Sequence, residues 1–355
     1  MSYLGLSFFG REDGALVVDD TPVNSARCAI ELYTTTDGGA SWSGPVVARK
    51  GTGVCLNNVA GAPPIAVGPN RFWIEEDDRL LTGRLEASNA GARFEALPSA
   101  GPLCSLGTDG AMLWAVSGSD CQALFGSDDG GSHWVRDLGL PLASIEGPLS
   151  FEGASTVLAV GAPAGADLAA EPAGPLAVAR SDDGGRTWSA TRLPCPVGAQ
   201  IAWWRGYVAG SGRDLAAVCG DGMSAGAEAL EIAYSSNGGR RWSETCGDGA
   251  FGANELGSEC PATYAEGLAV LGQHEIVMAF GYASSIGVSS DGGATWQLGT
   301  AGLKVHGLPF IAFSAFNGYA WVLQFGPEIG PGGQDLGWSS TGTSWHEVNL
   351  PALRP

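Results

Sequence analysis

Lysine is nearly missing from this chain of 355 residues: only Lys50 and Lys304 are lysines. Lys and Arg together number 18 against 37 Asp and Glu, a formal net charge of −19. Such a surface repels phosphate backbones and anionic headgroups, so nucleic acid is not expected as a partner and an anionic membrane is a poor one. What it favours is solubility, and beyond that cationic ligands or bound cations. No run approaches the ~18 apolar residues of a membrane-spanning helix, and direct membrane insertion is not expected. Long amphipathic helical stretches are missing too. With 56 glycines the chain reads as all-β and rich in turns. There is no C-x-x-C, which argues against a zinc ribbon.

What is present is repetition. The stretch "SDDGGRTW" (Ser181 to Trp188) has close copies in "TTDGGASW" (Thr35 to Trp42), "SDDGGSHW" (Ser127 to Trp134), "SSNGGRRW" (Ser235 to Trp242) and "SSDGGATW" (Ser289 to Trp296). Two worn versions are "ASNAGARF" (Ala87 to Phe94) and "SSTGTSW" (Ser339 to Trp345). The third positions are Asp37, Asn89, Asp129, Asp183, Asn237, Asp291 and Thr341, about fifty residues apart, and the units fill nearly the whole chain. A catalytic loop is not normally written seven times, whereas a fold element is. An Asp or Asn before Gly-Gly closes a tight turn on backbone N–H groups, and the glycines supply positive φ. Apolar flanks such as "PLAVAR" and "WSATRL" make each stretch the tip of a hairpin, and its tryptophan packs on a neighbouring unit.

The pattern S/T-x-D-x-G-x-T/S-W resembles the Asp-box, or BNR repeat, of the sialidase-like superfamily. It occurs in sialidases, xyloglucanases, sortilins and photosystem II assembly-factor-like proteins. Blade spacing and the "LWAVSG" strand (Leu113 to Gly118) look most like the last of these and their exported bacterial relatives. The resemblance implies a seven-bladed β-propeller with four-stranded antiparallel blades and the box as the turn between strands C and D. A single domain over 1–355 is expected, with blades near 1–50, 51–98, 99–141, 142–194, 195–246, 247–300 and 301–355. Fold does not carry function here, because the motif serves enzymes and binding proteins alike.

The eight cysteines point to an oxidising compartment. Placed on the implied blades, all eight fall on the face opposite the boxes, in four local pairs: Cys28–Cys55, Cys104–Cys121, Cys195–Cys219 and Cys246–Cys260. Cys219 can instead meet Cys246 or Cys260. A secreted, periplasmic or cell-surface protein is therefore expected. Its opening "MSYLGLSFFG" lacks the basic segment and long apolar core of a leader, so the expectation is that a signal or lipoprotein anchor has been removed.

Chemistry is expected at the mouth of the central channel. Each innermost strand starts near a recurrent glycine preceded by Ala60, Ala100, Glu146, Val197, Glu266 and His306, with Leu4 in the first blade. Glu146, Glu266 and His306 are the candidates for catalysis or for holding a divalent cation, since carboxylates and imidazole suit both. No cofactor is required. Lys304, Arg213 and Glu255 are candidate ligand-binding residues. Arg213 is placed in a long loop, Gly210 to Ala227, and Glu255 in another, Thr245 to Ala265. With Gly161 to Gly174 and Gly326 to Gly337 these form an acidic crown.

Two functions follow. One is a non-catalytic, monomeric extracytoplasmic scaffold binding a protein or glycan on the face opposite the boxes. The other is a glycoside hydrolase with Glu146 and Glu266 as its carboxylate pair, or a metal-assisted lyase. A sialidase is disfavoured, because the F/Y-R-I-P motif is absent and the acidic chain suits an anionic sugar badly.

Overall fold

The computed structural model describes residues 2–19, 27–52, 65–68, 70–76, 79–85, 93–97, 103–118, 121–137, 139–153, 155–166, 176–194, 206–224, 227–246, 265–280, 285–299, 310–316, 318–325 and 334–351. They form seven four-stranded antiparallel sheets, each made of four consecutive strands. Among the described residues there is no helix.

The first blade comprises β1 (Ser2–Phe8), β2 (Gly14–Asp19), β3 (Arg27–Thr35) and β4 (Ser43–Thr52). The second holds β5 (Ile65–Val67), β6 (Arg71–Glu76), β7 (Arg79–Arg84) and β8 (Arg93–Ala96). In the third are β9 (Leu103–Thr108), β10 (Leu113–Ser117), β11 (Ala123–Ser127) and β12 (Val135–Arg136). The fourth has β13 (Ser150–Glu152), β14 (Thr156–Gly161), β15 (Ala177–Ser181) and β16 (Ser189–Arg192). The fifth has β17 (Tyr207–Ser211), β18 (Asp214–Ser224), β19 (Ala227–Ser235) and β20 (Ser243–Cys246). The sixth comprises β21 (Ala265–Gly272), β22 (Glu275–Phe280), β23 (Ser285–Ser289) and β24 (Gln297–Leu298). The last holds β25 (Phe310–Phe316), β26 (Tyr319–Phe325), β27 (Gln334–Ser339) and β28 (His346–Val348).

Every blade is covered on both faces, which is why its second strand reads as an unbroken apolar run rather than an alternating one. In β2, Ala15 and Val17 point toward the second blade, where they meet Phe72 and Ile74. Leu16 and Val18, one residue out of phase, join Trp321 and Leu323 of the seventh blade. The same division repeats around the molecule, giving seven separate cores, each lying between two adjacent blades.

The first and last blades close the ring by packing. Phe8 stacks on Trp321 with centroids 4.1 Å apart, and the Phe8 N–H donates to Ser314 Oγ at 2.9 Å. β1 also runs beside β25, as β17 does beside β21 and β21 beside β25. First strands therefore line the inside of the ring.

The two sides of the ring differ. On the side of the Gly-Gly turns, no first-to-second-strand connection exceeds residues 9–13, and no third-to-fourth exceeds 85–92. The other side carries longer links, among them 53–64, 137–149, 162–176, 193–206 and 247–264.

Candidate functional site

The repeated turns use their polar groups on their own backbone. Thr35, Ser127, Ser181, Ser235, Ser289 and Ser339 are all buried. In the fourth blade, Ser181 Oγ accepts the Gly185 N–H at 2.8 Å and donates to Asp183 Oδ1 at 2.9 Å. Asp183 Oδ1 also accepts the Thr187 N–H at 2.8 Å, and Oδ2 takes the Thr187 hydroxyl at 2.6 Å. Equivalent bonds organise Asp37, Asp129, Asn237 and Asp291, while Asn89 lies outside the described residues.

These bonds favour ionised carboxylates. The Thr187 hydroxyl and N–H hold Asp183 down to about 2. The Ser41 hydroxyl and N–H lower Asp37, and the His133 ring and N–H lower Asp129. At Asp291 burial opposes the shift, but hydrogen bonds from Thr295 outweigh it. With their lone pairs committed in this way, these aspartates are poor candidates for substrate chemistry.

The turns also join blades. Gly185 (φ +80°) passes so close to the preceding blade that a Cβ there would lie 2.2 Å from Trp114. Gly39 makes the same approach to Val348 of the seventh blade, at 2.6 Å. The Trp188 indole N–H donates to Asp137 Oδ2 at 2.6 Å, and that of Trp42 to the Asn349 carbonyl at 2.9 Å.

The channel-mouth candidates are described in part. Glu146 lies on an extension of the fourth blade's inner strand, its N–H bonded to the Val160 carbonyl at 2.8 Å, and Oε1 accepts the Ser144 hydroxyl at 2.6 Å. Beside it, Gly147 abuts the fifth blade, where a Cβ would meet the Gly206 carbonyl at 1.7 Å. Glu266 is the extra residue of a β-bulge in β21, between the Ala265–Phe280 and Gly267–Ala279 pairs. Leu4 occupies the same bulge in β1. The matching residues in the third and seventh blades are Cys104 and Ile311.

That register corrects the sequence alignment, which puts Ala100 and His306 at those places. A bulge inserts one residue without any composition signal. His306, Lys304 and Glu255 lie outside the described residues. Among the described residues, no three His, Cys, Asp or Glu are grouped to hold a metal ion.

Arg213 requires a second correction. Gly210 to Ala227 is not a long loop, because β17, a tight turn and β18 occupy most of it. Arg213 is exposed in that turn, its carbonyl accepting the Gly238 N–H at 2.8 Å, and so belongs to the Gly-Gly-turn face. Asp214 follows it there and accepts the Tyr234 hydroxyl, which leaves the expected acidic crown without that carboxylate. Burial, with this bond, pushes the Tyr234 phenol up to about 12.

On the opposite face Cys104 and Cys121 are joined by a disulfide with a Cα–Cα distance of 5.8 Å. Cys28 and Cys219 are disulfide-bonded as well, and among the described residues no cysteine is free. The partners of Cys28 and Cys219, with the pairings assigned to Cys55, Cys195, Cys246 and Cys260, fall outside the side chains described.

No family model matches the sequence, and no curated protein matches it. Solved structures do. YCF48 from Cyanidioschyzon merolae is 14% identical, with a TM-score of 0.51 over 91% of this chain and 92% of its own. The GH74 xyloglucanase from Xanthomonas campestris is 15% identical, with a TM-score of 0.56 over 97% of this chain. An S511A mutant of puromycin hydrolase is 12% identical, with a TM-score of 0.57 over all of it. This chain spans about half (54%) of each of the last two. At such identities the likeness is one of fold: this chain is a seven-bladed β-propeller.

Proposed function

We propose that the chain is a non-catalytic propeller of the Asp-box type that works outside the cytoplasm, holding a protein or glycan on the face opposite its Gly-Gly turns. The observation that carries this reading is the unequal use of the two faces. One is consumed by short turns whose polar groups bond their own backbone. The other presents the long connections and, on the third blade, ties an inner strand to its neighbouring loop through Cys104–Cys121. A surface stiffened in this way loses little entropy when it binds. Disulfides, and the lack among the described residues of any helix long and apolar enough to cross a membrane, agree with a secreted, periplasmic or cell-surface location. The scaffold acts as a monomer and requires no cofactor.

A second reading draws on the bulge at Glu266 and the inner-strand position of Glu146. It makes the channel mouth a hydrolase or lyase site, with His306, Lys304 and Glu255 on the same face and a divalent cation held by Glu146, Glu266 and His306. An array of neutral oligosaccharides, followed by product analysis of the retained sugars, separates the two. The scaffold returns every bound glycan intact. Shortened products that disappear in both Glu146→Gln and Glu266→Gln would overturn it.

A further inference from the structure

On this chain of net charge −19, one cleft gathers arginines. It measures about 590 Å³, a volume usual for small-ligand sites, and lies where the outer strands of the fourth blade meet the turns of the fifth. Arg180, Asp182 and Thr191 line one wall, and Arg213, Asn237 and Arg240 the other.

Arg180 is held in place. Its Nε and NH2 both reach Asp182 Oδ1 at 2.8 Å, and its NH1 lies 3.4 Å from the Gly212 carbonyl across the blade seam. Arg213 and Arg240 are exposed, and among the described residues neither has a carboxylate partner. The turn beside them has also lost its own charge: where four other blades carry Asp, this one carries Asn237. Its Oδ1 accepts the Arg241 N–H at 2.9 Å, leaving the amide NH2 to donate. Three guanidinium groups therefore face one carboxylate in a concave site.

The geometry points to an oxyanion site in this cleft, where Arg213 and Arg240 clamp a carboxylate or phosphate group of a small ligand and Arg180 supplies a third, fixed cation. Guanidinium forks match both anions. The site lies on the face opposite the proposed scaffold surface and stands independently of that reading.

Glu152 adds a control. It sits behind Arg180, with Oε2 4.0 Å from NH1, and its Oε1 is buried without a partner. The charged groups facing it are Arg180 and Asp182 from its own blade; from the fifth blade the Gly212 backbone and the bare Cα of Gly210 pack against it. Burial pushes its carboxyl up to about 7. Below that pH the cleft loses one negative charge and holds an anion more tightly.

Calorimetric titration of the intact chain at low ionic strength, with inorganic phosphate, citrate and sulfate in turn, tests the assignment. Saturable 1:1 binding is expected, weakened at least tenfold by Arg213→Gln with Arg240→Gln and unchanged by Arg136→Gln on the third blade. Both replaced residues are exposed in turns, so the fold survives the change. Tighter binding of phosphate or of citrate identifies the class of ligand. Sulfate, whose charge is constant over this range, should bind several-fold tighter at pH 6 than at pH 8, and equally at both in Glu152→Gln. No binding of any of the three anions at 10 mM, or undiminished binding in the double variant, would overturn the site; pH-independent sulfate binding in the parent chain would overturn the part given to Glu152.

Discussion

Glu152 shows how a single side chain sets a pH dependence for the whole fold. Its nearest cation, Arg180, is already bonded to Asp182, so desolvation outweighs attraction and the folded chain prefers the protonated acid. The ordinary value is 4.5 and the folded value about 7. Below pH 4.5 both states hold the proton and nothing is lost. Between these values the unfolded chain ionises first, so stability falls as pH rises, by about 3 kcal/mol once pH exceeds 7. Glu152→Gln should therefore raise the unfolding free energy at pH 8.5 by about 1–3 kcal/mol and leave it nearly unchanged at pH 4, as read by urea denaturation. An equal effect at both values would contradict the buried, proton-holding state. The turn aspartates act with the opposite sign. Asp183 keeps its charge down to about 2, so its contribution is present above the ordinary 3.8 and fades as pH drops through that interval.

At the scale of the element, two glycines in one turn have separable duties. Gly184 (φ +67°) has nothing within 4 Å of a Cβ position, whereas Gly185 (φ +80°) faces Trp114 at 2.2 Å. Alanine at 184 meets only the left-handed backbone penalty, about 1–2 kcal/mol. Alanine at 185 adds overpacking against the third blade, a further ~1–3 kcal/mol. Thermal unfolding of the two variants should separate them in that order, and equal losses would remove the blade-joining role of the turn. These turns are legible in the sequence because Asp-x-Gly-Gly announces its conformation locally, as unbroken apolar runs such as "LWAV" announce strands buried on both faces. Bulges in the inner strands announce nothing, which is why the residues aligned at the channel mouth drift in the third and seventh blades. Glu152 and Arg180 lie in separate strands of the fourth blade, Arg213 and Arg240 in separate turns of the fifth, and the two pairs meet across the seam. The one local hint was "SSNGGRRW", a turn with two arginines and no acid.

For the molecule as a whole, seven interblade cores make a ring whose first and last blades meet through Phe8, Trp321 and Val348. Rigidity is thus distributed around the circle, and the turn face is spent on maintaining it. Apart from the arginine cleft at the fourth and fifth blades, recognition is left to the face with the long connections, stiffened by Cys104–Cys121. Hydrogen–deuterium exchange of the intact, disulfide-bonded chain, with and without the glycan that the array retains most strongly, tests this division most directly. Protection gathered in 53–64, 97–102, 193–206 and 247–264, with the Gly-Gly turns unchanged, is the predicted result. Protection confined to the turns, at 36–42, 128–134, 182–188 and 290–296, would contradict it.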